Sequence, residues 1–143
     1  MRWCSTGLRK GLEQVAFLTF FVVGCGGGSK NYVLQGTQRD PGADARVQVE
    51  KLDGGNYLVT ITATNLTPPN RIGTGNAVYL VWVRPPGGQA QMESQLAYQG
   101  DQRTGRATLT TPHRKFTLLV TAEREATVNQ PSENVVLQQE IEM

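Results

Sequence analysis

Residues 45–64 read ARVQVEKLDGGNYLVTITAT and contain the clearest structural signal in the chain. Apolar residues alternate with polar ones over residues 45–50 and again over residues 57–64. A period of two is typical of strands that bury one face. Between the two runs, Asp53-Gly54-Gly55 supplies residues that tolerate the positive φ of a tight turn. This stretch therefore predicts an antiparallel β-hairpin.

The same pattern continues from residue 32 to the last residue of the chain. Further strands are predicted at residues 32–34, 77–84, 91–99, 106–111, 115–122 and 134–140. Pro68 and Pro69 exclude residues 65–76 from a central strand because proline has no N–H for the ladder, so this segment is predicted as a long connection. Seven or eight strands without helical periodicity predict an all-β fold, an antiparallel immunoglobulin-like β-sandwich with Greek-key features.

The predicted strand at residues 78–83 is apolar on both faces. We expect one set of side chains to face the core: Val78, Leu80, Trp82, Phe116, Leu118 and Val120. The opposite face of this strand would then carry Tyr79, Val81 and Val83. Either a loop or the curvature of the sheet covers that second face, or these three residues form an interaction patch for a partner, since contiguous exposed apolar surface marks binding sites.

Composition and charge narrow the class of protein. The chain has 143 residues, of which 38% are hydrophobic and 18% charged, as expected of one folded domain. The formal net charge of +2 lies in residues 1–24, which carry three basic residues and one acidic residue, so the remainder is neutral. Such a balance does not indicate a nucleic-acid partner. Both cysteines, Cys4 and Cys25, precede the predicted domain, which excludes a disulfide or a cysteine-based metal site within it.

Residues 1–25 read MRWCSTGLRKGLEQVAFLTFFVVGC. A basic segment precedes the apolar run at residues 15–23, whose nine residues are too short to cross a hydrocarbon core of about 30 Å at about 1.5 Å per residue. That length fits the apolar region of a secretory signal. The final four residues, Val22-Val23-Gly24-Cys25, resemble the lipobox of bacterial lipoproteins.

In the lipoprotein family the lipobox cysteine receives a diacylglycerol, the leader is cut before it, and the new amine is acylated. The resemblance implies a signal-peptide helix at residues 1–24 that is removed, a lipidated Cys25 at the head of a flexible Gly-rich tether over residues 25–31, and a domain at residues 32–143. Several acyl chains together give stable anchoring. The implied location is the bacterial cell envelope, at the periplasmic or surface face of the outer membrane, with the covalent lipid in place of any cofactor.

Two further stretches resemble the extracytoplasmic C-terminal domain of anti-sigma-K-type factors. The first is Tyr79–Val83 followed by Pro85-Pro86-Gly87-Gly88, and the second is Phe116–Glu123 followed by Gln130–Ser132 and Val135–Leu137. The likeness extends to small lipoproteins of myxobacteria-like organisms that keep this domain alone. The resemblance implies a β-sandwich outside the cytoplasm. It does not imply control of a sigma factor, because the sigma-binding segment and spanning helix of that family are not recognised here.

The predicted domain offers little that indicates catalysis. His113 is the only histidine, and none of the serines lies in a Gly-x-Ser-x-Gly elbow. Two acidic pairs, Asp40 with Asp44 and Glu123 with Glu125, lack the ligand density of a calcium loop and are interpreted as solvated surface. We therefore expect neither a catalytic site nor a metal site.

These observations predict a non-catalytic, lipid-anchored lipoprotein with an interaction or envelope-structural role. Its partners would be the membrane, through the lipid, and an envelope protein. One alternative is the sensory module of an anti-sigma-like regulatory system. A second is a hydrolase that uses His113, Glu123 and Glu125.

Overall fold

The computed structural model describes residues 28–143, which form eight antiparallel β-strands and one helical turn. The elements are β1 (Ser29–Gln35), β2 (Asp44–Lys51), β3 (Tyr57–Thr64), α1 (Pro69–Ile72), β4 (Val78–Arg84), β5 (Gln91–Gln99), β6 (Thr104–Thr111), β7 (Lys115–Glu123) and β8 (Val135–Glu142). The all-β prediction and the upper strand number are confirmed. β1 begins three residues earlier than expected, so residues 29–31 of the predicted tether belong to the sheet.

The predicted first hairpin is present, and its turn has the expected backbone. β2 pairs with β3 from Asp44 opposite Thr64 to Lys51 opposite Tyr57. Gly54 and Gly55 both have a φ of 90°, a conformation that side-chain-bearing residues rarely adopt.

The strands form one sheet in the order β1-β2-β3-β6-β5-β4-β7-β8. Two overlapping groups of four, β3-β6-β5-β4 and β6-β5-β4-β7, have Greek-key order, as predicted. β5 pairs with β4 up to Leu96 and with β6 from Ala97 onward, so it joins the two halves of the sheet. The two separate layers of an immunoglobulin-like sandwich are therefore not confirmed, and the sheet is instead barrel-like and nearly closed.

Hydrogen bonds from Tyr32 on β1 and from Thr37, just after β1, bring the two edges of the sheet together. The hydroxyl of Tyr32 on β1 donates to the Glu142 carbonyl oxygen at 2.8 Å and accepts from the Glu142 N–H at 3.1 Å. At the other end of the seam, Thr37 N–H donates to the Val136 carbonyl oxygen at 2.9 Å. These bonds satisfy backbone N–H and C=O groups of the edge strand β8, which would otherwise need a neighbouring strand to pair with.

Antiparallel pairing places the connections at two opposite ends. We call one the basal end, which contains Gly28, Met143 and loops 52–56, 85–90 and 112–114. We call the other the distal end, which contains loops 36–43, 65–77, 100–103 and 124–134.

The main core contains the face of β4 that was expected to lie opposite the core. Tyr79, Val81 and Val83 are 0%, 0% and 1% exposed and belong to the main hydrophobic cluster. Phe116, Leu118 and Val120 lie in the same cluster, as expected. Val81 is directly opposite Val120 and Val83 opposite Leu118, and residues opposite one another share a face of the sheet. Because they are buried in this core, Tyr79, Val81 and Val83 do not form an exposed patch on the described domain.

The opposite face of β4 forms a second, smaller hydrophobic cluster. Leu80, Trp82 and Leu119 are buried there, so the expected placement of Val78, Leu80 and Trp82 in the main core is wrong. The residues that cover this cluster are Val78, Ala90, Ala126, Val128 and Val135. Two of them belong to residues 124–134, which we call the strap. The strap thus covers the face of Leu80 and Trp82, whereas the sequence analysis allowed for a covering loop on the face of Tyr79, Val81 and Val83.

Candidate functional site

The predicted lipid attachment site, Cys25, is three residues before Gly28 of the basal end in the sequence. Cys25 is outside the described residues, but only three peptide units separate it from Gly28, and three extended residues span at most about 11 Å. The described chain enters the sheet at Ser29, at the start of β1. Among residues 28–143, no helix has the length and apolar character needed to cross a membrane.

A buried polar cluster organises the distal end. The Asp40 carboxylate is 3% exposed and accepts hydrogen bonds from the Thr67 N–H at 2.9 Å and the Thr67 hydroxyl at 2.8 Å. Tyr79, whose ring lies in the main core, donates its hydroxyl hydrogen to the Thr67 carbonyl oxygen. Loop 36–43 is thereby fixed to the long connection that follows β3.

Arg103 adds the loop between β5 and β6 to this cluster. Its Nε donates to the Leu66 carbonyl oxygen at 2.8 Å, and the Leu66 N–H donates to the Arg103 carbonyl oxygen at 2.9 Å. Arg103 and Asn65 have φ values of 55° and 59°, in the left-handed region. The ring of Tyr98 packs edge-on against that of Tyr79 with centroids 5.5 Å apart. Three distal loops are therefore held in one arrangement.

Gly36 allows the close approach on which the Asp40 contacts depend. A Cβ at Gly36 would overlap the backbone carbonyl group of Asp40. The Gly36 N–H donates to the Ala43 carbonyl oxygen at 2.7 Å, which closes the base of this loop. Glycine at this position is thus required by space rather than by an unusual φ.

The environment of Tyr79 stabilises its neutral form. Burial raises the pKa of the Tyr79 hydroxyl, the negative charge of Asp40 raises it further, and the Arg103 guanidinium opposes both effects. The folded protein therefore keeps the Tyr79 proton at pH values where an unfolded tyrosine loses it.

We expect alkaline pH to weaken the fold through Tyr79. Above about pH 10 the unfolded chain releases this proton and the folded chain does not, so one such group lowers the free energy of unfolding by up to about 1.4 kcal/mol per pH unit. Tyr79→Phe removes this dependence and loses a hydrogen bond worth about 1 kcal/mol near neutrality. Urea unfolding from pH 8 to 11 should find the wild type more stable at pH 8 and the variant more stable at pH 11. A constant difference across this range would contradict the assignment.

The residues considered for hydrolysis are not brought together. His113 lies in a basal loop, and Glu123 ends β7 at the distal end. The intervening nine-residue strand, at about 3.3 Å per residue, separates them by roughly 30 Å. Glu125 is exposed on the strap. Among residues 28–143, no three His, Cys, Asp or Glu side chains converge as a metal site.

Two of the carboxylates interpreted as solvated surface are buried instead. Asp40 holds the distal cluster, and Glu123, 5% exposed, accepts a hydrogen bond from the Ser132 N–H at 2.8 Å. Ser132 in turn accepts from the Asn134 N–H at 3.1 Å through its hydroxyl oxygen. Glu123 therefore fixes the strap over the second cluster, and only Asp44 and Glu125 are exposed as expected.

Sequence reasoning missed the distal cluster because its partners are far apart along the chain. Asp40 and Thr67 are separated by 27 residues, and Glu123 and Ser132 by nine. No known protein family, curated protein or solved structure matches this chain.

Proposed function

We propose that this protein is a non-catalytic bacterial lipoprotein, held in the cell envelope at the outer membrane by a lipid on Cys25. The observation that carries the proposal is the motif Val22–Cys25 directly after a basic segment and a short apolar run. The position of Gly28 at the basal end supports it, because a lipid three residues earlier leaves the domain free to stand on the membrane.

We further propose that the distal end is the surface offered to an envelope protein. With the anchor at the basal end, the distal loops point away from the bilayer. The contacts of Asp40, Thr67 and Arg103 hold three of these loops in one conformation before any partner arrives. Preformed loops lose less conformational freedom on binding, which favours affinity.

We also propose that the domain is related to the extracytoplasmic domain of anti-sigma-K-type factors. The stretches that carry the resemblance coincide with β4, the turn after it, β7, part of the strap and the start of β8. β4, β7 and β8 are consecutive neighbours in the sheet, so the resemblance covers one continuous part of the fold.

The anchor is tested by the mass of the processed protein and by its distribution between fractions. We expect the native protein to begin at Cys25, to carry acyl mass and to stay with membranes after a high-salt wash. Cys25→Ala should carry no acyl mass and should leave the membrane fraction. Cys4→Ala is the matched control, since it removes the other cysteine and should change neither result.

Two results would refute the anchor. The first is a native product that begins at another residue or lacks acyl mass. The second is a Cys25→Ala protein that stays with membranes and resists salt extraction.

A further inference from the structure

Charge is distributed unevenly between the two ends of a domain that is neutral as a whole. Each end is counted as its loops together with the two nearest residues of every strand. On this count the side chains of the basal end include five basic and three acidic ones. The distal end has four basic and six acidic residues. The basal cations are Lys30, Lys51, Arg84, Arg114 and Lys115, and the basal carboxylates are Glu50, Asp53 and Glu142. The fold thus has a positive end and a negative end.

A groove of about 350 Å³ opens at the basal end between Lys30, Lys51 and Arg114. Gly28 and Tyr57 form part of its wall. Lys30 Nζ donates to the main-chain oxygen of Glu142 at 2.9 Å, which holds the ammonium in place and leaves its charge uncompensated. Within residues 28–143 the only side-chain ion pair joins Arg39 and Glu133 at the distal end. Arg114 Nε likewise donates to a main-chain oxygen of Met143, which also lines the groove. None of the three cations of the groove pairs with a side-chain carboxylate among residues 28–143.

The groove lies close to the proposed anchor. Gly28 lines it, and Cys25 is within about 11 Å of Gly28 along an extended chain. This reach is comparable to the Debye length of about 8 Å at physiological ionic strength, so charges at a lipid surface act on the groove and are partly screened by salt.

We infer that the basal groove binds the phosphate groups of anionic phospholipids, so that the domain rests on the bilayer with its positive end down. The inference rests on the proposed anchor for its location, and on Lys30, Lys51 and Arg114 for its chemistry. An ammonium attracts a phosphate as a point charge, and a guanidinium offers it paired N–H donors. Each cation near an anionic surface strengthens partitioning about fivefold.

The test uses the chain from residue 25 with Cys25→Ser, which has no site for lipid attachment. All eight strands and both hydrophobic clusters lie within residues 28–143, so this chain contains the complete fold. Binding is measured by co-sedimentation with vesicles of phosphatidylglycerol and phosphatidylcholine, and with vesicles of phosphatidylcholine alone. We expect binding to the anionic vesicles only, and we expect it to weaken as salt is added.

Two triple variants separate the groove from net charge. Lys30→Gln with Lys51→Gln and Arg114→Gln should lower partitioning about a hundredfold, at fivefold per residue. The matched control removes three exposed arginines outside the basal end: Arg46→Gln, Arg71→Gln and Arg106→Gln. It should lower partitioning less than fivefold. If the first triple variant does not fold by circular dichroism, Lys51→Gln alone should still lower partitioning about fivefold.

Several outcomes would overturn the inference. They are equal binding to both vesicle types, equal losses in the two triple variants, absence of binding to anionic vesicles at low salt, and complete displacement by inorganic phosphate at matched ionic strength. The last would assign the groove to a free anion rather than a membrane surface. The lipid anchor is tested separately, by the mass of the native protein, and none of these results affects that mass. Failure of the headgroup contact can therefore be distinguished from failure of the anchor.

Discussion

Val81→Asp is expected to abolish folding. Val81 has no exposed surface and lies in the main core, between Ser94 on β5 and Val120 on β7. An unpaired carboxylate in such a site, or the protonation that avoids it, costs several kcal/mol, which is comparable to the total of about 5–15 kcal/mol that keeps a domain folded. Far-UV circular dichroism and the yield of soluble protein measure the effect.

Val33→Asp is the matched control, because Val33 also lies in a strand but is 67% exposed. It should change the free energy of unfolding by no more than about 0.5 kcal/mol. If Val81→Asp were to fold with an unchanged urea midpoint, the inward assignment of Tyr79, Val81 and Val83 would fail, and a surface patch would again explain these residues.

Trp82→Ala should lower the free energy of unfolding by about 3–5 kcal/mol, the range for removing a large aromatic side chain from a core. Trp82 is completely buried between the outer face of the sheet and the strap. Its indole N–H donates to the Thr121 hydroxyl at 2.8 Å. The alanine variant leaves a cavity and removes the donor that pairs with a buried hydroxyl, and urea unfolding measures the loss.

Two further variants help to interpret this loss of stability: one isolates the indole hydrogen bond, and the other is a control at a neighbouring residue. Trp82→Phe keeps most of the packing but removes the indole N–H, so it should lose about 1–3 kcal/mol. Met92 is opposite Trp82 on β5 and 38% exposed, so Met92→Ala shortens a neighbour on the same face and should lose less than about 1 kcal/mol. A loss for Trp82→Ala no larger than that for Met92→Ala would show that the strap does not bury the indole.

The strands were predictable because their signals are local. The alternation over residues 45–64, the turn glycines within it and the prolines at the start of α1 each act over a few residues, and the structure places strands and turns where they predict them. β1 departs most from its predicted bounds, since residues 29–31 are polar and join the sheet through pairing with β2. That pairing depends on a partner more than ten residues away, which the pattern of β1 alone does not contain.

The faces of β4 were not predictable in the same way. A strand that is apolar at every position from Val78 to Val83 has no alternation from which to choose an inner face. Its register with β7 makes the choice, by placing Val81 opposite Val120 and Trp82 opposite Leu119. The burial of Asp40 also could not be predicted from its neighbours in the sequence, because its hydrogen-bond partner Thr67 belongs to another loop.

By itself, then, the sequence determined the strand content, the position of the first hairpin and the resemblance of residues 1–25 to an export and lipidation signal. The tertiary structure alone decided which face of β4 lies in the main core, how β1 and β8 nearly close the sheet, and which end collects Lys30, Lys51 and Arg114. The reason is physical. Strand formation is encoded in neighbouring residues, whereas burial and charge grouping arise from pairs of segments that meet only when the whole sheet has assembled.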